Sequence, residues 1–150
     1  MREIENVFKL PFVKTTMSYQ DTEAFAKKIS NYFEKGDCIA FFGEMGAGKT
    51  AFVRGLADGL GVRGEVSSPT FAIVNEYVGP VPLIHFDMYR VLGEDDLVTT
   101  NFFEYLNGNN IVAIEWSENI IDFLPSDFIK VNIKKLGENT RQIEICRGFE

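Results

Sequence analysis

Hydrophobic positions recur at two spacings along this 150-residue chain. In "SYQDTEAFAKKISNYFEKGD", Phe25, Ile29 and Phe33 return every fourth position, which puts them on one side of a helix. Ser18 is placed to cap that helix, Asp21 to complete a capping box, and Gly36 to stop it. "CIAFFG" is a continuous apolar run of strand length. "KTAFVRGLADGL" then returns to helical spacing, with Phe52, Val53, Leu56 and Leu60 facing inward. "SSPTFAIVNEYVG" and "PLIHFDMYR" read as two antiparallel strands joined by a Gly-Pro turn. "GEDDLVTTNFFEYL" reads as helical, and "NNIVAIEWSE" as a buried strand running into a loop. "FIKVNIKKL" and "RQIEIC" alternate apolar and polar residues around "GEN", the pattern of a hairpin. Strands and helices interleave through the middle, which predicts an α/β protein with a sheet of mixed direction.

Where "CIAFFG" runs into the helix that follows it lies "GEMGAGKT", residues 43–50, which fits the phosphate-binding spacing G-x-x-x-x-G-K-[ST]. Gly43, Gly46 and Gly48 allow backbone conformations closed to residues with a Cβ. The N–H groups of the loop, including those of Glu44, Met45, Ala47 and Ala51, can then turn toward a phosphate. Lys49 supplies a point charge to the β/γ oxygens, and the Thr50 hydroxyl is placed to ligate Mg²⁺. Strand, glycine-rich loop and helix come in the order the chemistry needs, because the helix N-terminus adds its dipole to an anion site. The bland alternative is a glycine-rich turn that happens to carry Lys and Thr. The context favours a nucleotide site.

Composition narrows the surroundings of that site. A content of 45% apolar and 25% charged residues suits a soluble globular protein, and the length suits a single domain over residues 1–150. A net charge of −7 argues against this chain gripping nucleic acid on its own through a basic face. Cys38 and Cys146 are far apart and form no C-x-x-C, so buried reduced thiols are expected. No apolar run approaches a membrane span and no signal-peptide pattern opens the chain, which points to the cytoplasm.

Phosphoryl chemistry also needs a held metal and an oriented nucleophile. Acids at the C-terminal ends of strands serve this role, because ligands bind at that edge of an open α/β sheet. "IVAIE" places Glu115 after four apolar residues, and "LIHFD" places Asp87 after a run interrupted by His85. Glu115 is therefore assigned to Mg²⁺, directly or through water, and Asp87 to the attacking water or the metal's surroundings. Either could instead make an ordinary turn or cap. His85 is read as a hydrogen-bonded structural residue in preference to a base. Trp116 either flanks the nucleotide or fills the core. "SSPT", residues 67–70, is either a capped turn or a switch that senses the γ-phosphate, with Thr70 as its contact.

Taken in order, "GEMGAGKT", "SSPTFAIVNEY", "HFDMYR" and "IEWSE" resemble the TsaE (YjeE) family of bacterial ATPases in tRNA threonylcarbamoyladenosine biosynthesis. The resemblance covers roughly residues 18–141. It implies a P-loop NTPase-like three-layer sandwich whose mixed, largely parallel sheet has antiparallel edge strands. It also implies a Mg²⁺-dependent ATPase of low turnover, binding ATP and ADP. Docking onto TsaB- and TsaD-type partners follows from it as well. Those partners transfer threonylcarbamoyl to the adenosine 3′ of the anticodon in tRNAs reading A-starting codons, so tRNA is met indirectly. The family's metal-holding Thr and Glu fall on Thr50 and Glu115, its activity-linked Asp on Asp87, its Trp on Trp116 and its switch on Thr70. Lys49, Asp87 and Glu115 are thus the expected catalytic set. Ser18, Gln20, Thr22 and Arg141 are the candidates for contact with the adenine. Glu44, Ala51 and "TTNFFEYL" depart mildly from the family pattern at no phosphate or metal position. A small-molecule kinase is the rival enzyme class; it would need an acceptor pocket and usually an arginine-bearing lid, and no Arg-rich insertion appears. A GTPase would normally carry N-K-x-D, and that string is absent. A nucleotide-gated interaction module with negligible hydrolysis is the alternative from another class.

Overall fold

The computed structural model describes residues 12–43, 48–62 and 74–147. The apolar run Cys38–Phe42 forms β2, buried at every position. Ile111–Glu115 (β5) is likewise buried throughout, and Leu83–Asp87 (β4) is buried up to its terminal acid. Such continuous burial fits parallel strands covered on both faces. The described strands are completed by Phe12–Thr16 (β1), Val74–Tyr77 (β3), Ile129–Lys135 (β6) and Arg141–Arg147 (β7). They form one sheet in the order β1-β7-β6-β2-β5-β4-β3. The central β6-β2-β5-β4 strands run parallel, while β7, β1 and β3 pair antiparallel at the two edges. The mixed sheet with antiparallel edges is the one expected.

Helices cover both faces. Tyr19–Ile29 (α1) and Lys49–Leu60 (α2) pack on one side with Phe41, Ala113, Val131 and Ile143. Glu94–Thr99 (α3) and Phe102–Tyr105 (α4) cover the other, over Ala40, Phe86, Val112 and Ile114. A 3-10 stretch, Ser117–Phe123, completes that layer. Three layers result. The two helices of the first face approach closely because Gly55 has no side chain. A Cβ there would lie 2.0 Å from the Glu23 carbonyl oxygen.

Several elements depart from the pattern. Ser18 caps α1, its side chain accepting from Asp21 N–H, but Asp21 reaches back to Met17 N–H, one residue beyond a capping box. The helix ends at Ile29 and tightens to a 3-10 turn, Ser30–Tyr32, so Gly36 serves the turn before β2 and is not the helix stop. "GEDDLVTTNFFEYL" is two short helices. Thr99 and Thr100 hydroxyls bond back to the Asp95 and Leu97 carbonyls, and Asn101 turns left-handed at φ 60°. β4 stops at Asp87, and Tyr89 beyond it is exposed. The edge strand β1, mostly exposed, was not marked by periodicity. Among the described residues no helix is long and apolar enough to cross a membrane.

Candidate functional site

Gly43 ends β2 at φ 135°, and a Cβ there would lie 2.3 Å from the Ile133 carbonyl oxygen of β6. The position therefore requires glycine twice over, for backbone angle and for space. Gly48 caps α2 in the left-handed region at φ 107°, with open space where a Cβ would be. The first turn of α2 then presents Lys49, Thr50 and Ala51 at a 12-residue helix's N-terminus. Lys49 is buried, and its Nζ donates to the Gly43 carbonyl at 2.9 Å. Its ammonium also lies 4.7 Å from the centroid of the Trp116 ring, within cation–π range.

Across the opening stand the strand-end acids. β4 and β5 are parallel, with Asp87 opposite Glu115 and His85 opposite Ala113. Strand alternation puts His85, Asp87 and Glu115 on the α2 face of the sheet. Glu115 is buried, and its Oε2 accepts from His85 Nε2 at 2.6 Å. Asp87 Oδ1 accepts from Tyr89 N–H at 2.9 Å. Burial raises the Asp87 carboxyl above its ordinary 3.8; the Tyr89 N–H opposes that rise and the neighbouring Glu115 charge adds to it. Directly after Glu115 the chain turns left-handed at Trp116, φ 60°. That turn lays the Trp116 ring against Tyr89 at 4.9 Å, and Met88 N–H donates to the Glu115 carbonyl.

These elements enclose a cavity of about 400 Å³ lined by Tyr19, Thr22, Gly48, Lys49, Thr50, Ala51, Glu115, Asn139 and Arg141. Of the residues singled out from sequence, Thr22, Gly48, Lys49, Thr50, Ala51, Glu115 and Arg141 thus meet at one opening. Gly43 backs it through its bond to Lys49. Asp87 and Trp116 stand beside it without lining it. Ser18 caps α1 and Gln20 is exposed, and neither lines the cavity. Glu44, Met45, Gly46, Ala47 and Thr70 lie outside the described residues. Arg141 Nη1 donates to the carbonyls of Gly137, Glu138 and Thr140, which anchors it on the β6–β7 turn. Tyr19 and Asn139 were missed. Tyr19 sat between two singled-out residues, and Asn139 had only the turn string "GEN" to mark it.

The donor set fits a nucleotide with its metal. A lysine, a helix N-terminus and open glycine backbone gather positive potential for phosphates. The Thr50 hydroxyl and the Glu115 carboxylate at the same opening are hard oxygen ligands of the kind Mg²⁺ takes.

Comparison with known proteins agrees with this architecture. The family model described as "Threonylcarbamoyl adenosine biosynthesis protein TsaE" matches residues 16–143. The Bacillus subtilis tRNA threonylcarbamoyladenosine biosynthesis protein TsaE is 38% identical, over 85% of this chain and 80% of its own. The protein of that name from Treponema pallidum is 34% identical, over 86% and 96%. The Nostoc one is 42% identical, over 73% and 70%. The crystal structure of Bacillus subtilis YdiB superposes with a TM-score of 0.74 at 33% identity, covering 91% of this chain and 85% of that one. This chain belongs to the TsaE family.

Proposed function

We propose that this protein binds ATP with Mg²⁺ in the cavity at the head of α2 and hydrolyses it in support of tRNA threonylcarbamoylation. The observation that carries the reading is the convergence of Lys49, Thr50 and Glu115 on one opening at a helix N-terminus. The relatives' names supply the process, tRNA threonylcarbamoyladenosine biosynthesis.

In this reading Lys49 neutralises phosphate oxygens, and the N-terminal N–H groups of α2 cradle them. Thr50 and Glu115 would hold Mg²⁺, which supplies charge neutralisation at the phosphates. Asp87, one strand over from Glu115, orients the attacking water and takes up its proton; a carboxyl raised toward neutrality is better matched to that task. Trp116, its ring beside Lys49, steadies the ammonium. Thr22 and Arg141 line the opening away from the helix head and receive the nucleoside. Hydrolysis cycles a complex with TsaB- and TsaD-type partners, which hold the tRNA. The test is reconstitution of tRNA modification with purified components and labelled ATP. Omission of this protein should halt modification, and unchanged modification without it would overturn the reading.

A further inference from the structure

His85 has no exposed surface, and its neighbours on the α2 face of the sheet include the apolar Leu83 and Ala113. A leucine would fill such a position without any desolvation cost. The imidazole instead sends Nε2 diagonally across two parallel strands to Glu115 Oε2 at 2.6 Å. Its other nitrogen, Nδ1, is buried with no hydrogen-bond partner among the described residues. A histidine chosen for stability alone would not leave a buried ring nitrogen unpaired. Among those residues, His85 is also the one hydrogen-bond donor to the Glu115 side chain. Asp87, although directly opposite Glu115, accepts from Tyr89.

We propose that His85 is a positioning residue for Glu115: it pins one carboxylate oxygen so that the other faces the cavity, fixed for a divalent cation. The inference rests on the ATP and Mg²⁺ reading above. A carboxylate on a free rotor would spend binding energy on being ordered. A carboxylate tied at Oε2 meets the cation already aimed.

The full chain carries one tryptophan, Trp116, adjacent to Glu115, and its fluorescence reports occupancy of the site without turnover. Mg²⁺ is titrated at saturating ATP for wild type, His85→Gln, His85→Leu, Glu115→Gln and the His85→Leu/Glu115→Gln double variant. His85→Leu should raise the Mg²⁺ midpoint on the order of 10- to 100-fold, the usual effect of losing a partner that orients a metal-binding group. His85→Gln places an amide N–H where Nε2 stood and should restore a near-wild-type midpoint. In the double variant the loss should not exceed that of Glu115→Gln alone. Should His85→Leu fail to fold, His85→Asn, polar but too short to reach Oε2, carries the same expected rise. A wild-type midpoint in a folded His85→Leu or His85→Asn protein, or additive losses in the double variant, would overturn the proposal. A wild-type protein with no Mg²⁺-dependent response to ATP would overturn the ATP reading, and this inference with it.

Discussion

Lys49 engages two partners at once, the Gly43 carbonyl and the Trp116 ring, and neither is a carboxylate. Its charge is therefore not neutralised within the chain by these contacts, and removing the side chain should strip phosphate affinity without breaking an ion pair. Lys49→Ala should weaken ATP binding by about 1.4–2.8 kcal/mol, on the order of 10- to 100-fold, with thermal unfolding little changed; titration calorimetry checks the first and scanning calorimetry the second. Asp87 makes a different prediction. Its folded carboxyl holds a proton above the ordinary 3.8, so the folded state binds more protons than the unfolded one just above that pH. Stability of the metal-free protein should fall as pH rises through that window and stay reduced above it. Asp87→Asn should flatten this step and stabilise the protein at neutral pH, read by urea unfolding across pH. That Lys49, Thr50 and Glu115 would meet at one opening was legible in sequence, because a strand–loop–helix spacing and a strand-end acid are local signals. The His85–Glu115 contact was not, since it depends on the register of two strands whose partners lie 30 residues apart.

At the scale of elements, the glycine-rich loop's flanks follow their sequence closely: β2 and α2 span the predicted apolar run and helical stripe. Elements whose stability comes from tertiary pairing were harder to read. β1 buries only one face partly and exists through its antiparallel ladder with β7. The α3–α4 break comes from threonine hydroxyls competing for backbone carbonyls, a local effect that apolar periodicity does not register. The α1–α2 contact is tight enough to test. In Gly55→Ala the added methyl would meet the Glu23 carbonyl at 2.0 Å and the Ala26 Cβ at 2.9 Å, so the helices must part. A loss of roughly 1–3 kcal/mol in chemical denaturation is expected. Because α1 carries Thr22 and α2 carries Lys49, ATP affinity should fall as well.

For the whole molecule, a net charge of −7 disfavours direct binding of nucleic acid. The isolated protein should not retain tRNA at roughly 0.15 M salt, and in filter binding retention should appear only with partners present. ATP hydrolysis should rise when those partners are added, and Thr70→Ala should weaken that rise more than basal nucleotide binding. The cavity also joins distant parts of the chain. Tyr19 and Thr22 come from α1, Lys49 from α2, Glu115 from β5, and Asn139 and Arg141 from the β6–β7 hairpin. Among the described residues β1 pairs with β7 alone. During synthesis at ~5–20 residues per second, the N-terminal strand therefore waits roughly 6–25 s for the strand that anchors it. A nascent chain that has not yet emerged past β6 carries its glycine-rich loop but not the Asn139 and Arg141 wall of the cavity. On the proposed reading, firm ATP binding should therefore wait for the β6–β7 turn, and a chain arrested before that turn should bind ATP weakly.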